Sequence, residues 1–358
     1  LEKVVLLSYD NKDVKMVLYL GLLIFSFVIS SIVTVPFINL LYKFRFYRRK
    51  QVTKDCLGEH ANLFDDLHKH KAGTPVGGGL LIIGVVSLLY ALFFPLISYL
   101  GVDVTSVFPV YEELNIIFFS FISFGLLGLY DDILKFFDFK KSGFFGLRMR
   151  HKFILQWILA FIIALLLYFN LGVNFIHVPF VGTINLGIWY IPFAAFIVVA
   201  FSNAFNITDG LDGLACGLLM ICLFAFWIIS NQILDTSISI FISLWLGALM
   251  AFLYFNTYPA RIWLGDVGAL SFGATLAVIG LIMGKIMAVV VIGGFFIAEI
   301  TSSLLQIFWK KQFKKNLIAA APFHLLLQYR GWEEPKIVMR AWLVGIMLAL
   351  FGLWLAVI

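Results

Sequence analysis

In NITDGLDG, residues 206–213, Asp209 and Asp212 stand three apart and each is followed by glycine. YDDILK places Asp131 and Asp132 side by side, with Lys135 four residues after the first, and NTYPARIWLGDVG contributes Asp266. Asp-Gly alone marks a turn and Asp alone caps a helix. Turns can be built from Asn, Ser or Gly without charge, however, and gathered carboxylates repel unless a cation or basic partners offset them. Carboxylates are hard oxygen donors, and Mg²⁺ typically takes one or two of them together with substrate phosphates. The five aspartates therefore predict a magnesium- and phosphate-binding site.

The matching cations lie near them in the sequence pattern. LHKHKAGTPVGGG carries Lys71 ahead of three glycines, and Lys135 shares a helical face with Asp131 and Asp132. Lysine binds phosphate as a point charge. Gly77 to Gly79 have two readings, close backbone approach to a phosphate or close packing of helices. His68, His70 and His324 fall on the same side of the chain's pattern, and 316–332 is apolar enough for a helix lying on a membrane surface. Glu299 falls inside a hydrophobic run, where a carboxylate is costly and marks a functional candidate or a buried brace between helices.

The elements that must position these groups are membrane spans. Of 358 residues, 62% are hydrophobic and 13% charged, against about 25% charged in a soluble domain. Ten apolar runs of spanning length are expected, near 15–42, 75–100, 114–130, 153–170, 188–205, 213–231, 238–255, 268–284, 286–309 and 338–356. The fold class is an all-α polytopic membrane protein, one integral domain over 1–358, and the helix-length runs argue against an outer-membrane barrel. All Lys and Arg except Lys3, Lys12, Lys15 and Lys285 fall in the connections on one side, which the positive-inside rule makes cytoplasmic. Both termini are then expected outside, and all five aspartates at the inner ends of spans. The formal charge of +6 is a loop property suited to anionic headgroups or phosphorylated substrates, not to nucleic acid. Cys56, Cys216 and Cys222 form no metal or disulfide pattern. The opening LEKVVLLSYDNKD lacks the ordered parts of a signal peptide, so the first run is expected to be a retained span.

With HKHKAGTPVGGG, GLYDDILK, SNAFNITDGLDGLACG, YFNTYPARIWLGDVGALSFGA and APFHLLLQYRGWEEPKIVMRAW in this order, the chain resembles the polyprenyl-phosphate N-acetylhexosamine-1-phosphate transferases. Within them it is most similar to the phospho-N-acetylmuramoyl-pentapeptide-transferase family. The resemblance implies ten transmembrane helices, outside termini and a cytoplasmic-facing cleft in a bacterial cytoplasmic membrane. It implies transfer of phospho-N-acetylmuramoyl-pentapeptide from UDP to undecaprenyl phosphate, giving lipid I and UMP in peptidoglycan synthesis. The substrates would be UDP-MurNAc-pentapeptide and undecaprenyl phosphate, with Mg²⁺ as cofactor, membrane lipid around the protein and a homodimer as a common assembly.

The resemblance also assigns roles. Asp131 and Asp132 match the family's paired aspartates, Asp131 serving to deprotonate or orient the lipid phosphate, and Asp266 matches its magnesium ligand. Asn206, Asp209 and Asp212 match its NxTDGxDG element, Asp212 lying where uridine is recognised. Asn256, Lys71 and Lys135 match cleft residues, Trp263 an aromatic that stacks on uracil, and His324 a catalytic histidine. The family's run of three histidines reads His324-Leu325-Leu326 here, a change that bears on substrate recognition and turnover. A GlcNAc-1-phosphate transferase and a membrane transporter are the alternatives, and a covalent aspartyl-phosphate route stays open beside direct transfer.

Overall fold

The structure is a computed structural model that describes residues 2–47, 71–99, 102–136 and 149–358. His68 and His70 lie outside the described residues. Twelve α-helices are described, with one two-stranded hairpin. They are α1 (Glu2–Lys43), α2 (Gly78–Tyr99), α3 (Val110–Phe136), α4 (Met149–Phe169), α5 (Tyr190–Thr208) and α6 (Leu214–Gln232). These are followed by α7 (Thr236–Asn256), α8 (Gly265–Ile282), α9 (Ile286–Ile292), α10 (Gly294–Phe313), α11 (Phe323–Tyr329) and α12 (Glu334–Val357). Among the described residues, nine helices are long and apolar enough to cross a membrane, and the count is ten when α9 and α10, bent by 73° at their junction, are taken together as one span.

The bundle is built around α7 and α8, the spans with the largest buried shares, 78% and 89% of their apolar windows. In lipid there is no aqueous hydrophobic drive between helices, so small residues and interhelical hydrogen bonds must hold them. Both devices are present. Gly79 and Gly268 let α2 and α8 touch: a Cβ on Gly79 would lie 2.2 Å from the Gly268 Cα. Gly128 does the same between α3 and α8, its Cβ position lying 2.1 Å from the Asp266 carbonyl oxygen. Ser271 Oγ donates to the Phe121 carbonyl at 2.6 Å, Ser202 Oγ to Leu270 at 3.1 Å, and Ser26 Oγ to Leu244 at 2.6 Å. These bonds tie α3 and α5 to α8, and α1 to α7. The rings of Phe121, Phe241, Trp245 and Phe272 interlock at the centre.

The expected spans match the apolar parts of these helices to within a few residues; α1 begins well before its span, at Glu2, and the other differences concern the site. Hydropathy ends the third span at 130, yet α3 continues to Phe136. A helix does not stop where apolar residues stop, and here Asp131 and Lys135 pair at i, i+4 across the added turns. Likewise α8 starts at Gly265 and α12 at Glu334, ahead of the apolar onset. The ninth span breaks at Gly293, where a Cβ would lie 2.6 Å from the Phe201 ring. The expected surface helix over 316–332 is a seven-residue helix, α11, reached through bends. The loop before α5 carries a short antiparallel hairpin, Phe175–Val178 with Gly182–Asn185, which the all-helical expectation did not include.

Candidate active site

All eleven candidate side chains sit at one end of the bundle, on the last turns of α3, α5 and α7, the first turns of α8 and α11, and the segments that lead into α2, α6 and α8. They form three connected groups.

The first group closes around Asp266, in the first turn of α8. Lys135 Nζ is 2.7 Å from Asp266 Oδ2 and 3.0 Å from Asp131 Oδ2. Lys152, from the start of α4, is 2.9 Å from Asp131 Oδ2 and also bonds Asp266 Oδ2. Asn206 Nδ2 donates to Asp266 Oδ1 at 3.2 Å. Asp132 faces elsewhere, its Oδ2 accepting from the Val267 N–H at 3.2 Å. Neighbouring residues on a helix point about 100° apart, so the two aspartates of the pair do different work: Asp131 faces the lysines and Asp132 fixes the start of α8. The Lys135 side chain is 39% exposed, which makes it the open edge of a group otherwise mostly buried.

The second group surrounds Asp212, just before α6. Its Oδ1 accepts from Lys71 Nζ at 2.9 Å and from Trp263 Nε1 at 3.2 Å, and its Oδ2 accepts from the Ala260 N–H at 2.9 Å. Lys71 also pairs with Glu334 Oε1 at 2.5 Å, and its ammonium lies 5.7 Å from the centre of the Trp263 ring. Asn256 ties the turn down, its Oδ1 accepting from the Gly213 N–H at 3.2 Å and its Nδ2 donating to the Ile262 carbonyl at 2.9 Å. Gly213 has φ +77°, a left-handed value that explains the second Asp-Gly.

The third group is His324 with Glu299. His324 Nδ1 is 3.1 Å from Glu299 Oε2, and the His324 N–H donates to Glu299 Oε1 at 3.1 Å. Both are buried. The far ring nitrogen, Nε2, faces Gly210, whose Cβ position would be 2.6 Å away. NITDGLDG thus touches all three groups, through Asn206, Gly210 and Asp212. Asp209 ends α5, its N–H donating to the Phe205 carbonyl at 3.0 Å, and is half-buried between Asn206 and Gly210.

The structure settles two points that the sequence left open. Lys71 joins Asp212 and Glu334, apart from the lysines that hold Asp131 and Asp266. The N–H groups of Gly77, Gly78 and Gly79 donate to the carbonyls of Trp263 and Leu264 at 2.8–3.0 Å, so the glycines serve packing and hold the segment against 263–264. Two residues were missed. Lys152 sits in RMRHK, where it reads as one more basic loop residue, and Glu334 precedes Pro335, where it reads as an ordinary acidic helix start.

Among the described residues, no group of three or more His, Cys, Asp or Glu side chains is arranged to hold a metal ion. The Asp131 and Asp266 carboxylates, which converge on the same two lysines, suit an ion that completes its shell with substrate oxygens. Asp131 and Asp266 face two ammonium groups and Asp132 adds a third carboxylate beside them, a balance that tolerates a further cation arriving with an anionic ligand.

The family model described as Glycosyl transferase family 4 matches residues 114–284. The chain is 36% identical over 284 residues to a phospho-N-acetylmuramoyl-pentapeptide-transferase of Caldanaerobacter subterraneus, spanning 79% of this chain and 84% of that one. It is 33% identical over 329 residues to the enzyme of the same description from Clostridium novyi, spanning 91% and 93%. For that of Rickettsia prowazekii the identity is 36% over 307 residues, spanning 80% of each.

Proposed function

Because the chain belongs to glycosyl transferase family 4 and is a multi-pass membrane phospho-sugar transferase, we propose that it transfers phospho-N-acetylmuramoyl-pentapeptide from UDP to undecaprenyl phosphate. The products are lipid I and UMP. The observation that carries this reading is the joint hold of Lys135 and Lys152 on Asp131 and Asp266, directly beside the NITDGLDG turn.

The reaction exchanges one phosphoanhydride for another. An oxygen of the lipid phosphate attacks the sugar-bound phosphorus, and UMP leaves with the bridging oxygen. Attacker and leaving group are both anionic, so repulsion is the main barrier and preorganised positive charge is the main remedy. Lys135 and Lys152 supply that charge, each having three N–H donors to share between carboxylates and phosphate oxygens. Asp131 orients the lipid phosphate and accepts its proton where it carries one. Asp132 keeps α8 in register, so that Asp266 is presented to the lysines. Asp266 would hold Mg²⁺, which when bound offsets the diphosphate charge. Asp212 and Trp263 form the nucleoside end, and the buried His324 backs the turn between the two ends.

The test offers UDP-MurNAc-pentapeptide and UDP-GlcNAc separately to the purified protein with undecaprenyl phosphate and Mg²⁺. UMP release is expected with the muramoyl donor alone. Release with UDP-GlcNAc alone would move the protein to the GlcNAc-1-phosphate branch, and release with neither would overturn the reading.

A further inference from the structure

We infer that Glu334 is a positioning residue for nucleotide binding, holding Lys71 and the Asp212 turn in their ligand-ready arrangement; this rests on the nucleotide-dependent transfer proposed above. Glu334 stands in the first turn of α12, is buried, and uses one oxygen twice. Its Oε1 lies 2.5 Å from Lys71 Nζ and accepts from the Asp212 N–H at 2.6 Å. Lys71 in turn bonds Asp212 Oδ1 at 2.9 Å. Three chain segments, the lead-in to α2, the turn before α6 and the start of α12, are therefore closed into one ring of contacts.

Proton counting shows what this ring leaves available. An ammonium has three donors, and Asp212 and Glu334 occupy two of those of Lys71. Among the described residues the third has no acceptor, which leaves it for one on the ligand, and its direction is fixed because the other two are fixed. Asp212 does not need Glu334 for its own charge, since Lys71, Trp263 Nε1 and the Ala260 N–H already serve its two oxygens. What Glu334 adds is the hold on the Asp212 backbone N–H and the second anchor on Lys71. Without it the ammonium swings on a flexible four-carbon stem, and the turn loses the partner of a buried N–H. Binding then has to order both.

A positioning role and a merely structural one separate in kinetics. Glu334→Ala is expected to raise KM for the UDP-sugar roughly tenfold to hundredfold, with kcat lowered no more than about threefold. Glu334→Gln keeps an oxygen where both bonds are made and loses only the charge, so KM is expected to rise about threefold. Calorimetric titration of UDP with Mg²⁺ onto the detergent-purified proteins should show the same order of weakening without any turnover. If the alanine variant does not survive purification, the glutamine variant carries the test alone. Unchanged UDP affinity in the variants, or a fall in kcat at constant KM, would overturn the inference. Should wild-type protein bind UDP but fail to use the muramoyl donor, the proposed substrate falls while the role of Glu334 is still decided by the titration. Wild-type protein that binds no UDP would overturn both.

Discussion

At the end of the bundle opposite the site, Glu113 and Asp235 are also buried carboxylates from different helices, yet their surroundings are unlike those of Asp131 and Asp266. Ser106 Oγ and Ser237 Oγ lie 2.6 and 2.5 Å from Glu113 Oε2. Asp235 Oδ1 caps α7, accepting from the Ile238 N–H at 3.0 Å, and lies 2.8 Å from Ser237 Oγ. Lys15 stands nearby but bonds the hydroxyls of Thr105 and Thr236, each at 3.2 Å. Hydroxyls and backbone N–H groups partner the acids there: Ser237 Oγ with Glu113 links α7 to α3, while the Asp235 bonds to Ile238 and Ser237 cap α7 from within its own first turn. At the site end the partners are lysines, each shared between two acids. A hydroxyl bound to a carboxylate satisfies it locally, whereas an ammonium shared between carboxylates can be redirected toward an arriving phosphate. The far end reads as structure and the site end as chemistry.

The sharpest way to break this contrast is Asp266→Asn. Losing a preorganised charge at the reacting centre costs on the order of 10²–10³ in rate, and loss of the metal ligand acts at the same place. Mg²⁺-dependent UMP release should fall by roughly 10³-fold while the variant elutes and melts like wild type. Turnover within tenfold of wild type would remove Asp266 from the machinery and leave the two ends alike.

Lys152→Met comes next. Lys152 duplicates much of the contact that Lys135 makes with Asp131 and Asp266, so one lysine remains after the change. A loss of about 10²-fold in kcat/KM is expected. A loss below threefold would show that Lys135 alone supplies the charge and that the second ammonium is structural.

How much of this was legible in the sequence follows from what one-dimensional patterns carry. The ten spans could be read because a bilayer imposes a length on apolar runs, and the gathering of Asp131, Asp212 and Asp266 at one end follows from the alternation of spans. The partners could not be read. Lys71 meets Asp212 and Glu334 across 141 and 263 positions, and which carboxylate takes which lysine depends on helix rotation and closeness. Lys152 was hidden because hydropathy begins the fourth span after it. The bend at Gly293 was hidden because α9 and α10 are both apolar enough for one continuous run, and the approach of the α5 ring Phe201 to Gly293 appears only in the packing. Glu299 was legible as an expensive residue, while its partner, His324, came from the fold.

The smallest effect sharpens the comparison from the far end. Asp235→Ala removes the helix cap of α7 and the acceptor shared with Ser237. Loss of such a cap typically costs about 0.5–2 kcal/mol, and Tm in detergent should fall by about 1–3 °C for a chain of this length. No contact of Asp235 reaches the site end, and α7 presents Asn256 there from its opposite terminus, 21 residues along, or some 30 Å at 1.5 Å per residue. Initial rates measured well below the transition should therefore stay within about twofold of wild type, because a lost cap frays the first turn of a helix and leaves its last turn in place. A rate that fell with Tm unchanged would mean that the outer hydroxyl network and the lysine pair belong to one coupled system, and the division between the two ends would have to be given up.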